Sequence, residues 1–413
     1  LAVPAPLPPY ALTPFALLSV LPYAAAGVLW SLALGACLIA TILAVRHVTG
    51  LPLLAVTAAF VLGDGYAMVC LGQIAPVAVA AIALAARCLA SERDEAAALA
   101  AAASMLEPHV GLPVCLALFV WRPRTRRILA GAALFCAVLS VAVAGLPTTL
   151  EYVRGVVPAH ALSEIANEKQ LSLTYLLHRL GVPDAGALLA GDLWYLAMLA
   201  AGIGAAGVAL RRGAGAAFVA VLPPLFAVVG GPFVHIAQMP AALPAALLLY
   251  VRAGGPIRRT LGVAIAALAV PWIQFANLGT SFYGLAALVC AILLVQLVDR
   301  RPAVAGLAAV GAILLLSAAT ALVRPHIGDA LPALAAHYDP RALAETSWRI
   351  YVDAIGSANA AAFDLAKLPT VAGLLAVACC ALAALRPAKT RSGFQTIAST
   401  GNGGDASRRI ALR

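Results

Sequence analysis

Apolar side chains run along this chain in long blocks, and polar residues gather in the gaps between them. Reading the blocks against that punctuation predicts helical segments near 23–46, 51–71, 74–90, 128–147, 186–210, 214–234, 238–252, 260–277, 281–299, 303–323 and 368–386. Most are about 17 to 25 residues long, the length that a helix rising 1.5 Å per residue needs to cross a hydrocarbon layer of about 30 Å. The alternating segments of a transmembrane β-barrel do not occur. The pattern predicts an all-α, polytopic transmembrane helical bundle of about eleven spans.

One stretch breaks the pattern. About eleven apolar residues from Ala96 to Leu106 lead to Glu107-Pro108-His109, and about twelve more follow to Trp121; each half covers only about 18 Å. Arg87 and Arg93 precede it and Arg122, Arg124, Arg126 and Arg127 follow it, which places both ends on one side. It is expected to be a re-entrant hairpin with its Glu-Pro-His tip near mid-membrane. Drawn that way, about 20 of the 27 lysines and arginines share one side, which the positive-inside rule makes cytoplasmic.

The opposite side receives two long loops, 147–184 and 324–367, whose mixed charge and aromatic residues suit a substrate-facing surface. In the second, Asp339-Pro340 reads as the start of an amphipathic helix with Leu343, Ile350, Tyr351 and Ala354 on one face. Residues 1–386 form one transmembrane unit on this reading, and the polar, basic, Gly/Ser-rich segment 387–413 a disordered cytosolic tail. The chain opens in a proline-rich stretch with no basic segment or span ahead of it, so an N-terminal span and first external loop are expected upstream of Leu1.

Composition agrees with a lipid environment. Hydrophobic residues make up 63% of the 413 and charged residues 11%, with a mean hydropathy of +0.98, more apolar surface than a soluble core can hide. The net charge of +10 is scattered over short inter-span loops, a topology signal that argues against nucleic-acid binding. The eight cysteines fall within or at the edges of apolar blocks, so neither a disulfide framework nor a metal site is expected. With no Gly-rich nucleotide loop in the chain, no cofactor is expected either.

Polar groups near membrane depth usually face a protein interior or a wet cavity, because lipid cannot solvate them. Gly72-Gln73 ends a span at the external face, as an interfacial turn or as a substrate-binding amide. Asp64 lies about two turns deeper in that span. Glu107 and His109 flank the hairpin proline, either paired with each other or forming the polar floor of a cavity. Asn167, Glu168, Lys169, Gln170 and Ser172 cluster before an apolar run, where a solvated loop is the ordinary explanation. His235 enters a later span close to Gln238; a hydrogen-bonded core histidine competes there with a ligand-binding one. A single outward-opening cavity would collect all of these except Asp64.

At these residues the chain resembles the bacterial polyprenyl-phosphate mannose-dependent glycosyltransferases of family 87, membrane enzymes of the GT-C class. The resemblance rests on order: Pro8, Pro9, Tyr10, Pro14, Pro22 and Trp30 before and in an early span; Gly72-Gln73 ending the next; a hairpin with Pro108 at its tip; an external element from Asn167 to Ser172; and His235 with Pro240 and Pro244 after it. Where family members carry Lys before the hairpin proline, this chain has Glu107. The resemblance implies a GT-C-like fold and transfer of a sugar, mannose in the family, from a polyprenyl-phosphate donor to a lipid or glycan acceptor. The reaction would run with inversion, at the outer face of a bacterial cytoplasmic membrane. It implies a catalytic place for His235, substrate contacts from Gln73, Glu107, His109, Asn167 and Ser172, and a general base in the loop expected upstream of Leu1. Arg154, Lys169, Arg179, Arg324, Arg341 and Arg349 are the external cations open to a phosphate. A secondary transporter or lipid flippase is the competing class, since broken segments and midplane polar groups serve those too.

Overall fold

The computed structural model of the protein describes residues 7–69, 72–276, 280–298, 301–322 and 344–385, and every regular element among them is helical. Among the described residues, four helices are long and apolar enough to cross a bilayer: Tyr23–Thr49, Pro123–Ala144, Asp184–Arg211 and Ala360–Ala384. Val28, Leu29, Leu32 and Ile39 of the first and Leu134, Phe135 and Val138 of the second are exposed, an outward apolar face that belongs in lipid. This is a multi-pass membrane protein.

The expectation of about eleven spans is corrected by that count of four. The apolar blocks are present, but the backbone breaks inside them. Block 51–71 divides at Leu62 into Leu53–Val61 and Gly63–Val69. Block 214–234 yields only Phe218–Gly230, which contains Pro223 and Pro224; 13 residues rise about 20 Å, short of a bilayer. Block 238–252 begins as a 3-10 turn, Ile236–Ala242, before the helix Leu243–Arg252, and block 260–277 stops at Ala269 ahead of Pro271. These short helices are wrapped by protein: all residues from 218 to 228 and from 241 to 250 are buried. Hydropathy alone does not separate a helix that is apolar because it faces lipid from one that is apolar because it lies in the core.

The Glu-Pro-His stretch folds as a helical hairpin, Asp94–Ala103 and Pro108–Trp121, joined through the turn Ser104–Leu106. An ion pair between Arg122 and Asp94 closes its open end. Near the tip the arms approach so closely at Gly111 that a Cβ there would overlap the Ser104 carbonyl. The second arm is fixed at both ends to the helix Asp184–Arg211. The Tyr195 hydroxyl donates to the His109 carbonyl (3.0 Å), and the Trp121 indole N–H donates to the Ile203 carbonyl (2.8 Å).

The early Pro, Tyr and Trp residues brace this arrangement. The Tyr10 hydroxyl donates to the Met105 carbonyl (2.7 Å), tying the N-terminal segment to the hairpin. Trp30 packs against Phe15 in a tilted ring contact, centroids 5.0 Å apart, and donates its indole N–H to the Gly72 carbonyl (2.8 Å). Gly72 has φ +58°, a left-handed conformation that glycine adopts without a Cβ penalty.

The bundle has two chemically different ends. At one, Arg211 lies over the Trp121 ring and Arg212 donates to the Leu385 carbonyl (2.6 Å), close to the Arg122–Asp94 pair. At the other lie the hairpin tip and the segment 160–179. Asp364, beside that segment, and Leu385 are about 21 helical residues apart, or roughly 30 Å, the thickness of a hydrocarbon core. Residues Asp339, Pro340 and Leu343 of the expected amphipathic helix and the tail 387–413 lie outside the described residues.

Candidate active site

Three segments remote in sequence meet at the end of the bundle away from the arginines: the hairpin tip 107–109, the loop 164–170 and the turn 234–238. Each is set by its local sequence. Pro108 occupies the first turn of the second hairpin arm, where its missing N–H costs nothing, and Glu107 precedes it in extended backbone. Asn167 takes the Lys169 N–H on its Oδ1 (3.0 Å), an Asx turn that reverses the chain after the helix Val157–Glu164. Ser172 then caps the helix Leu173–Arg179, accepting the Tyr175 N–H (3.2 Å).

Two glutamines connect the segments. The Gln170 carbonyl oxygen accepts the Val234 N–H (2.7 Å), and its amide nitrogen donates to Glu164 Oε2 (3.0 Å). The Gln238 carbonyl oxygen accepts the His235 N–H (2.7 Å), and its amide nitrogen donates to Glu107 Oε1 (3.0 Å). A backbone bond from the Leu171 N–H to the Val234 carbonyl (2.8 Å) adds a third tie. Both carboxylates are buried, and both are held through two consecutive backbone N–H groups, those of Val234 and His235.

His235 itself is about a third exposed, with Nε2 3.4 Å from Glu164 Oε2 and 3.0 Å from Gln170 Nε2. Asn167 Nδ2 also donates to Glu164 Oε2 (2.7 Å). Burial alone would push the Glu164 carboxyl upward. The hydrogen bond from His235, the charges of His235 and His160 and the Asn167 amide outweigh it and hold the group at about 2. Glu164 is therefore a fixed anion behind His235. At the hairpin, His109 Nδ1 stands 3.4 Å from Glu107 Oε1, while its Nε2 is buried with no hydrogen-bond partner.

A second polar group flanks the first. Asp364 accepts from the Tyr175 hydroxyl (2.9 Å) and from Lys367 Nζ (3.2 Å), and pairs with Arg179 at 3.6 Å. Lys367 is buried, 3.8 Å from the centroid of the Tyr175 ring, and Lys169 lies over Phe363. Three cations thus stand beside the 164–170 loop.

Of the residues singled out in the sequence, Glu107, His109, Asn167 and His235 come together in one connected cluster. Gln73 is half-buried at the start of the helix Ala75–Ala90, which packs on the 236–242 turn, and its side chain takes no part in the hydrogen bonds of the cluster. Ser172 is occupied as a helix cap. Asp64 is fully buried elsewhere, and neither of its oxygens is hydrogen-bonded. Among the external cations, Lys169 and Arg179 adjoin the cluster and Arg154 is exposed apart from it; Arg324 and Arg341 and the side chain of Arg349 lie outside the described residues.

Glu164, His160 and the bridging roles of Gln170 and Gln238 were not legible as site residues from sequence. A signal was present: His160 and Glu164 are four apart, on one face of a short helix, with Asn167 three beyond. The pair Asp364 and Lys367 carries a similar (i, i+3) spacing.

The family model for glycosyltransferase family 87 matches residues 7–229, more than half of the chain, and so includes the hairpin, the 164–170 loop and the early bracing residues but stops short of His235. No curated protein and no solved structure matches the chain. The hairpin, the loop it meets and the residues that brace them fall in one order within the matched segment, and the chain belongs to glycosyltransferase family 87.

Proposed function

We propose that this protein transfers one sugar, mannose by family resemblance, from a polyprenyl-phosphate donor to a lipid or glycan acceptor at the outer face of a bacterial cytoplasmic membrane. The observation that carries the reading is the joining of His235, Glu164 and Glu107 through two glutamines at the end of the bundle opposite the arginines. A lipid-linked donor suits such a place: its tail stays in the bilayer while its phosphate and sugar enter the polar cluster.

In the proposed step an acceptor hydroxyl attacks the anomeric carbon on the face opposite the phosphate. The bond from that carbon to the phosphate oxygen breaks, and its electron pair leaves with the phosphate. His235, about a third exposed and backed by the ionised Glu164, stands beside that departing charge and stabilises it, an interaction that strengthens as the bond breaks. The hydroxyl proton passes to a carboxylate. Glu107 is the acidic group of the cluster with an oxygen, Oε2, that makes no hydrogen bond among the described residues, and it takes this role in our reading.

Charge also decides which flank holds the phosphate. Glu107 stands where family members have Lys, so the hairpin tip repels an anion. Lys169 and Lys367 stand on the loop flank near Glu168, with Arg179 beyond them on Asp364. The phosphate therefore rests on the loop side and the acceptor on the hairpin side, with His109, Gln73 and Asn167 left to orient sugar hydroxyls or the groups that do so.

The test is sugar transfer per folded molecule in liposomes with polyprenyl-phosphate mannose. His235→Ala is expected to lower turnover about ten- to a thousandfold, the worth of one hydrogen bond to a transition-state charge, and Gln73→Ala to reduce it as well. Glu107→Gln is expected to reduce turnover with little change in KM for the donor. Near-wild-type turnover in His235→Ala and Glu107→Gln would refute the site, and loss of protein without loss of specific activity would make His235 structural.

A further inference from the structure

A separate cavity opens at the arginine-rich end, far from the cluster. It has a volume of about 370 Å³ and is lined by Tyr250, Gly255, Arg258, Arg259 and Gln296, with the Leu297 backbone closing one side. Tyr250 is buried and donates its hydroxyl to the Leu297 carbonyl (2.8 Å), which fixes the wall between two helices. The Arg258 guanidinium lies 4.7 Å from the centre of the Tyr250 ring, a contact that holds this exposed side chain at the cavity. Among the described residues neither Arg258 nor Arg259 forms an ion pair.

Two unneutralised guanidiniums at the rim of one cavity repel each other unless an anion joins them. The helix Gly255–Ala269 begins at this cavity with no side-chain cap, so its first backbone N–H groups add to the positive potential. One turn along from Arg259, Val263 is about half exposed on the same helical face, an apolar contact beside the cavity. Guanidiniums at the rim and an exposed valine one turn along match a phosphate headgroup with the first part of an acyl chain beside it. A soluble anion would have no use for that apolar contact.

We propose that this cavity binds a phosphate-bearing headgroup, that of an anionic phospholipid in the leaflet at the arginine-rich end. Arg258 and Arg259 grip the phosphate, Gln296 meets the polar headgroup beyond it, and Val263 supports the first part of an acyl chain. The site is independent of the transferase reading and holds whichever sugar the cluster takes.

The test uses the full chain in a neutral maltoside detergent, titrated below micelle formation with dihexanoyl phosphatidylglycerol, dihexanoyl phosphatidylcholine or inorganic phosphate, with thermal unfolding as the readout. Phosphatidylglycerol is expected to raise Tm saturably, and added salt to weaken the effect. Arg258→Gln/Arg259→Gln is expected to weaken binding about tenfold or more. Because Arg258 also packs on Tyr250, Arg259→Gln alone is the second variant; its side chain is exposed, and a severalfold loss of affinity without a lower starting Tm supports the site. Equal saturation by phosphatidylcholine, or unchanged phosphatidylglycerol affinity in both variants, overturns the proposal. Inorganic phosphate saturating at or below the lipid concentration overturns the lipid assignment and gives the cavity to a soluble oxyanion.

Discussion

Replacing Glu164 by glutamine removes one negative charge while keeping the side chain's shape. The wild-type oxygen Oε2 takes two amide hydrogens, from Asn167 and Gln170, and faces His235 Nε2 at 3.4 Å. A glutamine oxygen can still accept from the amides, but its NH₂ must then lie among donors, and the positive form of His235 loses its counter-charge. A hydrogen bond with one ionised partner is worth about 1.5 to 3 kcal/mol, so transfer is expected to fall about ten- to a hundredfold. Stability offers an independent readout. The folded-state value of about 2 lies below the ordinary 4.5, so ionised Glu164 stabilises the fold above about pH 4.5, and that contribution is lost as pH falls toward 2. Its size is on the order of 3 kcal/mol. The wild-type Tm should therefore drop on acidification from pH 5 to pH 3, and Glu164→Gln should start lower at neutral pH and lose that part of the acid dependence. Wild-type turnover together with an unchanged acid limb in Glu164→Gln would refute the role of this residue as the anion behind His235.

Two other outcomes follow from the same geometry. Cysteine at position 148 is expected to react with a membrane-impermeant thiol reagent in intact cells and cysteine at 258 to stay unlabelled; the reverse pattern would put the cluster on the cytosolic side. Gly111→Ala is expected to destabilise the protein by about 1 to 3 kcal/mol, because its Cβ must push the Ser104 carbonyl aside, and an unchanged Tm would mean that the hairpin arms do not approach as described.

What the sequence revealed and what it hid divide along physical lines. Helical class and membrane residence follow from bulk apolarity, which lipid and protein core demand alike. That same indifference is why the block around Leu222 and Phe226 was read as a span when it is a 13-residue core helix. The hairpin was legible because a charged residue beside proline in the middle of an apolar run has few alternatives. Within the cluster, Glu107, His109 and His235 stood out as polar residues in apolar surroundings. Glu164 did not, since it lies in a loop where charge is ordinary, and only the fold shows that the loop is turned inward and its carboxylate buried. Ser172 looked like a ligand for the same reason in reverse: a hydroxyl before an apolar run is a capping signal, and capping is what it does.

The choice of glutamine as connector has a consequence of its own. An arginine or lysine carries donors only, so it could not accept the Val234 and His235 N–H groups, and it would neutralise the carboxylate it held. Gln170 and Gln238 take a backbone N–H on the carbonyl side and offer a neutral N–H to the acid, so Glu164 and Glu107 are positioned while keeping their capacity to act as anions. The cost is that two acidic groups stay close to one histidine in a low-dielectric setting, where like charges repel strongly. Positive charge must then come from outside the connectors. Lys169, Lys367 and Arg179 supply it from the loop flank and the Ala344–Ala384 helix, and Asp364 holds two of those cations in place. The helix that positions Asp364 and Lys367 lies outside the segment matched by the family model, so the electrostatic balance of the cluster depends on residues beyond that segment.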